Sequence, residues 1–506
     1  MLARILSLPF LVILMGIGAT AMYIPAIYAF IDRDLHVARV FLYGGTLFLI
    51  LTAMIGIASA PGKSSNLIRN HLLALLGAFT ILPIMLAVPF YEGLRTTAFL
   101  NAYFEMVSSL TTTGATLFEP DRLPNALHLW RAIVGWMGGF LVWVMAIAIL
   151  APLNLGGFEV TSTVTTGSGN RQFSQITKVA NTSQRLSRYT GQLFPLYAGL
   201  TLVLWISLLL AGETSLVAVS HAMSTIATSG ISPVGGLGQE GGSGVLGEVV
   251  IFGFLFFAIS RLSFSSDQKI RGLRRLRNDP EIRIGVFFVL VLPVFLFLRH
   301  WVGAYDVDLE TDFSAALRAL WGAMFTVLSF LSTTGFESTD WVDARSWSGL
   351  KSPGLIMLGL SIIGGGVATT AGGVKLMRVY ALYKHGAREM ERLLHPSSVG
   401  GAGAQARHIR RFGAQISWIF FMLFSMSVAL VMLALSLTGQ PFESAMVFTI
   451  SALSTTGPLA AVAAETPLDY ADLDGAAKGI LAAAMVLGRL ETLAIIALLN
   501  PSLWRS

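Results

Sequence analysis

Stretches 5–31, 132–158, 189–212, 352–374 and 412–442 of this chain contain no Asp, Glu, Lys or Arg. Each is longer than the roughly 20 residues that carry an α-helix across a bilayer. In hydrocarbon every backbone N–H and C=O must be satisfied within the protein, which leaves helices or a closed barrel. A barrel would show alternating segments of about ten residues, and that pattern is absent. Composition agrees: of 506 residues, 54% are hydrophobic and 12% charged, with a mean hydropathy of +0.70. A soluble domain carries about 25% charged residues. The sequence predicts an all-α integral membrane protein.

The chain has no cysteine, which excludes disulfide and thiolate chemistry. The first apolar run, 27 residues after Arg4, exceeds the roughly 7–15 residues of a signal-peptide core, so it is expected to stay as a transmembrane helix. Ten spans are expected, near 5–31, 40–62, 70–91, 127–153, 189–212, 244–264, 282–299, 352–376, 412–438 and 477–499. Between them lie four shorter apolar runs, near 100–112, 215–228, 314–333 and 442–455. Runs this short fit re-entrant segments better than spans.

Each short run ends in a hydroxyl-glycine motif: "TTTGAT", "ATSGIS", "STTGFE" and "STTGPL". The glycines Gly114, Gly230, Gly335 and Gly457 are 116, 105 and 122 residues apart. The repeating unit is therefore span, short helix, motif loop, span. Four pore units are expected at 70–160, 161–266, 267–400 and 401–506, with two extra transmembrane helices in 1–69. The fold expected is four pseudo-fourfold span–pore helix–span repeats around one central pore. Duplication of this kind is familiar in membrane transporters.

Charge placement supports that topology. The loops joining the units, 161–189, 267–283 and 375–411, hold 18 basic and 5 acidic residues. The segments carrying the motifs hold 19 acidic and 5 basic residues. The positive-inside rule puts the joining loops in the cytoplasm and the motifs outside, and ten spans then leave both termini cytoplasmic. The net charge of +6 reads as topology and contact with anionic membrane lipid, not as nucleic-acid binding.

Non-helical backbone at membrane depth survives only where protein covers it or a wet cavity lines it. Four such loops meeting on one axis would form rings of carbonyl oxygens, which replace the hydration shell of a dehydrated monovalent cation. Glycine permits backbone angles that turn carbonyls inward, threonine adds hydroxyl oxygens, and the preceding short helix aims its negative end at the ion. The expected filter is Thr112, Thr113 and Gly114; Thr228, Ser229 and Gly230; Thr333, Thr334 and Gly335; Thr455, Thr456 and Gly457, with the Thr and Ser oxygens as cation ligands. Glu119, Asp121, Glu337, Asp340 and Asp343 follow the motifs and would raise the local cation concentration. Close packing of small residues would explain one such motif, but not four at near-equal spacing on the acidic side.

A second feature is "GGGVATTAGGVK". Gly364, Gly365, Gly366, Gly372 and Gly373 flank Ala368, Thr369, Thr370 and Ala371, with Lys375 following. Glycine costs about 1 kcal/mol relative to alanine in a helix, so the span should break here and face a cavity as a gate. A tight helix contact is the competing reading. A third is "GRLE" in the last span, where Arg489 would repel cations below the filter, pin the 364–373 loop, or snorkel to the headgroups. Arg261 has the same snorkelling alternative. No Walker A or HExxH pattern is present, the histidines are scattered, and no enzyme chemistry or covalently bound cofactor is expected. A polytopic membrane enzyme would need ionisable residues clustered at one depth. An alternating-access transporter would show inverted repeats.

Together these motifs resemble the Trk/Ktr/HKT superfamily of cation transporters, over about 70–500. The two extra N-terminal spans make the chain most similar to the bacterial TrkH type. The resemblance implies a homodimer in the bacterial cytoplasmic membrane, with one pore per subunit, taking up potassium. It implies an intramembrane gating loop at "GGGVATTAGGVK" and makes Arg489 the arginine below the filter. It also implies a TrkA-like cytosolic regulatory subunit that binds NAD or ATP. In related plant transporters a serine in place of the first filter glycine goes with sodium; here all four glycines are present, which favours potassium. Two departures bear on selectivity: Ser229 where other motifs have threonine, and the apolar "GPLAAV" of the fourth. The alternatives are a sodium or mixed potassium/sodium transporter, or a proton- or sodium-coupled symporter.

Overall fold

The structure is a computed structural model that describes residues 8–59, 67–151, 182–238, 243–260, 279–303, 313–348, 353–395 and 413–490. Most of the joining loops 161–189 and 267–283, residues 396–411 of the third, Arg261, and the last span from Glu491 onward lie outside these residues. The regular structure described is helical, without strands.

Seven helical stretches are long and apolar enough to cross a bilayer: Phe10–Ile31, Leu35–Ala58, Leu72–Leu94, Asn125–Leu150, Leu186–Leu210, Pro280–Leu298 and Ala414–Leu437. They comprise α1 (Phe10–Ala21) with α2 (Tyr23–Ile31), α3 (Leu35–Ala58), α4 (Leu67–Thr80) with α5 (Leu82–Leu94), α7 (Asn125–Met145), α8 (Thr182–Leu210), α11 (Pro280–Gly303) and α16 (Ala414–Leu437). The four short runs are helices as well: α6 (Phe99–Leu110), α9 (Ser215–Ala227), α12 (Phe313–Leu331) and α17 (Phe442–Leu453).

Two of the ten expected spans differ from expectation, and a third is described only in part. The 244–264 span is α10 (Gly244–Leu255), prolonged only by a 3₁₀ turn to Ala258. The 352–376 span is two helices, α14 (Gly354–Ile363) and α15 (Leu376–Leu394), separated by the glycine-rich segment. Gly364 stops α14 because its φ of 71° and ψ of −176° lie outside anything a helix can continue. The 477–499 span is described as α19 (Gly475–Leu490), which follows α13 (Trp341–Ser348) and α18 (Leu459–Ala463), two short helices beyond the third and fourth motifs.

Packing follows a single rule around the molecule. The second span of each unit lies between the short helix of its own unit and that of the next. Thus α7 packs on α6 and α9, α10 on α9 and α12, α14 on α12 and α17, and α19 on α17 and α6. The order returns to its start. Glycines bring the spans in close. A Cβ at Gly138 of α7 would overlap the Leu110 carbonyl that ends α6, and one at Gly488 of α19 would overlap the Leu453 carbonyl that ends α17. Such backbone approach is how helices gain dispersion contact where no hydrophobic effect assists. Helices α1 to α3 stand outside this cycle, packed on α5 and α7.

Candidate functional site

Each short helix ends in the same unusual turn. The threonine two residues before the glycine of every motif is left-handed: Thr112 at φ 51°, Thr228 at 52°, Thr333 at 57° and Thr455 at 54°. For a β-branched residue this is a genuine outlier, costing of order 1–3 kcal/mol and kept only where the surroundings over-determine it. The surroundings are a Schellman-type closure. The following N–H reaches back to a serine carbonyl five residues earlier: Thr113 to Ser108 at 2.8 Å, and Ser229 to Ser224, Thr334 to Ser329 and Thr456 to Ser451 at 2.9 Å. The helix C-termini therefore end at the motif, with their carbonyl dipoles directed there.

Hydroxyls lock the turn. In units one, three and four the residue three before the glycine pairs with the one just before it: Thr111 with Thr113 at 2.8 Å, Ser332 with Thr334 at 3.0 Å, and Ser454 with Thr456 at 3.3 Å. Unit two has Ala227 at the first of these positions, and Ser229 bonds Ser224 at 3.1 Å instead. The departure at Ser229 thus goes together with a lost hydroxyl partner. All twelve expected filter residues are within the protein, the eight Thr and Ser side chains nearly completely buried. The Oγ1 atoms of Thr112 and Thr455 are buried with no hydrogen-bond partner. A buried hydroxyl left unpaired costs about 1–3 kcal/mol, and a cation is one species that would satisfy it.

The four corners meet one another. A Cβ at Gly114 would overlap the Ser229 carbonyl, and one at Gly230 would overlap the Thr334 carbonyl. A Cβ at Gly335 would come within 3.0 to 3.1 Å of the Pro458 ring, and the Gly457 N–H donates to the Thr113 carbonyl at 2.5 Å. Gly114, Gly230 and Gly335 have φ of 74°, 65° and 84°. Gly457 is not left-handed, because Pro458 and the α18 turn follow it. The fourth corner is the irregular one.

The glycine-rich segment lies against this assembly and touches every unit. Thr370 Oγ1 bonds the Ile226 carbonyl and Thr228 Oγ1, both at 3.2 Å. The Gly372 N–H donates to Thr333 Oγ1 at 2.7 Å, and a Cβ on Gly372 would collide with Ser454 and Thr455. Arg489 completes the set: Nε donates to the Thr111 carbonyl at 2.7 Å and Nη1 to the Thr370 carbonyl at 2.8 Å. Arg489 is buried and bonds the segment, which removes the snorkelling alternative. On its far side the segment is tied by Gly366 N–H to the Ala258 carbonyl at 3.0 Å and by Val367 N–H to the Glu281 carboxylate at 2.8 Å. Lys375 Nζ donates to the Ala371 carbonyl, and Arg378 stacks on the Phe420 ring at 3.6 Å, fixing the start of α15. Gly364, Gly365, Gly373 and Ala368 form the rest of the segment, with left-handed φ at Gly364, Ala368 and Gly373.

Behind the corners sit buried groups that sequence reasoning missed. The Leu117 N–H donates to Glu105 at 3.2 Å, and Glu105 is paired with Arg131 at 2.6 Å. His221 joins Ser232 at 2.9 Å and Glu213 at 3.3 Å. Glu248 accepts from Ser338 at 2.7 Å, from the Thr339 N–H at 2.5 Å and from Trp321 at 2.9 Å. Each braces the chain just beyond a motif glycine. The one available signal was an acid inside an otherwise apolar helix, as at Glu105 and Glu248, which marks a paired group.

Comparison with known proteins agrees with this geometry. A family model described as TrkH, cation transport protein, matches residues 276–505. The Trk system potassium uptake protein TrkH of Escherichia coli (strain K12) is 31% identical over 493 residues, covering 96% of each chain. The Trk system potassium uptake protein TrkI of Halomonas elongata is 29% identical over 474 residues, covering 92% of this chain and 88% of that one. The crystal structure of the potassium transporter TrkH from Vibrio parahaemolyticus superposes with a TM-score of 0.81 at 27% identity, covering all of both chains.

Proposed function

Since this chain belongs to the TrkH family of cation transport proteins, a family of transporters and not of enzymes, we propose that it takes up potassium through a pore between its four units. The four corners form the selectivity filter, with the carbonyls before each glycine and the hydroxyls of Thr112, Thr228, Thr333 and Thr455 as ligands. Residues 364–373, Lys375 and Arg489 form the gate beneath. One observation carries this reading: four left-handed threonines in one repeated turn, three of them in contact with a single glycine-rich segment and the fourth next in chain to the Thr111 carbonyl that its arginine holds. That arrangement supplies oxygens to a dehydrated cation and a movable element directly below.

The four units are proposed to surround one axis pseudo-symmetrically, supported by the closed order of helix packing. We place the protein in the bacterial cytoplasmic membrane with the motifs outside and both termini inside, on the charge asymmetry of its loops. Its relatives are named as parts of a Trk system, which supports work with a further component; we take this to be a TrkA-like cytosolic subunit, where NAD or ATP would bind, and the transporter itself to be a homodimer. Helix α15 leaves Tyr383, Met390, Leu393 and Leu394 exposed, and an apolar face on a helix leading out of the bundle favours a partner on that side.

The test is rubidium and sodium uptake into liposomes holding the purified protein, with potassium as competitor. Rubidium flux blocked by potassium but not by sodium is expected. Comparable sodium flux would move the reading to a mixed pore, which the irregular fourth corner favours. Flux that follows an imposed proton gradient would move it to a symporter.

A further inference from the structure

The fourth corner has the left-handed threonine of the others but lacks their left-handed glycine. Gly457 is not left-handed, and its N–H, not a carbonyl, points at the neighbouring corner through Thr113. Two hydroxyls hold it from behind. Ser451 Oγ lies 2.8 Å from the Thr456 carbonyl and 3.3 Å from the Gly457 carbonyl, and the Tyr470 hydroxyl donates to the Gly457 carbonyl at 2.9 Å. The two hydroxyls are themselves 2.5 Å apart. The serine has counterparts six residues before every filter glycine, at Ser108, Ser224 and Ser329. Only in unit four does it serve the carbonyl preceding the glycine; in unit one Ser108 serves Ala115, beyond it, at 2.7 Å. Tyr470 has no counterpart in the described residues of the other units. It comes from the loop between α18 and α19, and its ring is held against Phe448 of α17 at 4.9 Å and Phe104 of α6 at 6.0 Å. It therefore stands at the seam where the fourth corner meets the first.

We propose that Tyr470 is a specificity-determining positioning residue: its hydroxyl fixes the Gly457–Pro458 edge, and through it the Thr113 carbonyl and the Pro458 ring against Gly335. The proposal rests on the transport reading above. Behind the corner the Gly457 carbonyl is held by the Ala460 N–H at 3.2 Å and by the two hydroxyls, of which Tyr470 is the nearer at 2.9 Å. Without the hydroxyl the edge gains freedom, the Thr113 carbonyl loses its fixed place, and the opening adapts to a smaller ion.

The experiment is rubidium and sodium uptake by wild type, Tyr470→Phe and Ser451→Ala in liposomes, each with potassium as competitor. Tyr470→Phe keeps the ring and its packing and removes only the hydroxyl. The expected result is a rubidium-over-sodium preference lowered about three- to tenfold, the effect of one net hydrogen bond, with rubidium flux and monodispersity retained. Ser451→Ala shifts it the same way, and decides the matter if Tyr470→Phe does not assemble. An unchanged preference in an assembled variant overturns the proposal. A raised preference also overturns it, because the hydroxyl would then be withholding a ligand from the ion. Absence of potassium-blocked rubidium flux in the wild type instead removes the transport reading itself.

Discussion

Gly335 occupies a φ of 84°, and a Cβ there would meet three atoms of the Pro458 ring at 3.0 to 3.1 Å. A left-handed non-glycine residue costs about 1–2 kcal/mol, so Gly335→Ser is expected to relax the third corner and lower the rubidium-over-sodium preference by about tenfold, the same free energy at the ion. Unchanged ion preference in flux assays would count against a filter role for Gly335. Glu337, two residues on, is half-buried, and burial raises its pKa above the ordinary glutamate value while Arg345 opposes the rise. A raised pKa means the carboxylate is neutralised at a higher pH than a free glutamate. Uptake from dilute potassium should therefore weaken as external pH falls through that raised value, and Glu337→Gln should flatten the profile on its acid side. A wild-type profile indistinguishable from that of Glu337→Gln would remove the mouth role. At this scale the motif glycines were legible because the same hydroxyl-glycine stop recurs four times at near-equal spacing. The four left-handed threonines were not, since nothing in a threonine announces a conformation it normally avoids. Tyr470 was hidden for another reason: it is remote in sequence from the glycine it supports.

Helix ends were mostly legible and helix interruptions only in part. The apolar runs at 100–112, 215–228 and 442–455 became helices within a few residues of those limits, because apolar length and the hydroxyl-glycine stop define them together. Five glycines foretold that the 352–376 span would not continue, and α14 ends at Ile363. The shortness of α10 had no such sign. Its end is set by neighbours, where the Ala258 carbonyl accepts from Gly366, and a contact of that kind leaves no pattern in its own segment. The glycine-rich segment is buried and held by hydrogen bonds to several neighbours at once. Deleting 366–372 removes its bonds to Thr333 and to Arg489 together. Rubidium flux without a regulatory partner is expected to rise severalfold, and no increase would remove the gate assignment.

The closed cycle in which each second span lies between two short helices was implied by four near-equal spacings, but the direction of travel around the ring was not. Spacing along a chain is the same for either hand. Sidedness is a separate matter, decided by charge and not by packing. Lys and Arg are costly to translocate, and the bias in loops of fewer than about 60 residues sets orientation. The motif segments are acidic and the joining loops basic, so all four motifs must face one side if any does. The absence of cysteine makes this directly measurable, since any introduced thiol is the only one present. Asp472, beyond the fourth motif, and Arg392, near the end of α15, are both exposed. In intact cells Asp472→Cys is expected to react with a membrane-impermeant maleimide, and Arg392→Cys to react only after permeabilisation. The reverse pattern would invert the whole molecule and put the gate, not the filter, toward the outside. Labelling of both in intact cells would mean that an even number of crossings separates them, where the four-unit topology requires an odd number, and would break with that topology the assignment of a single filter to the four corners.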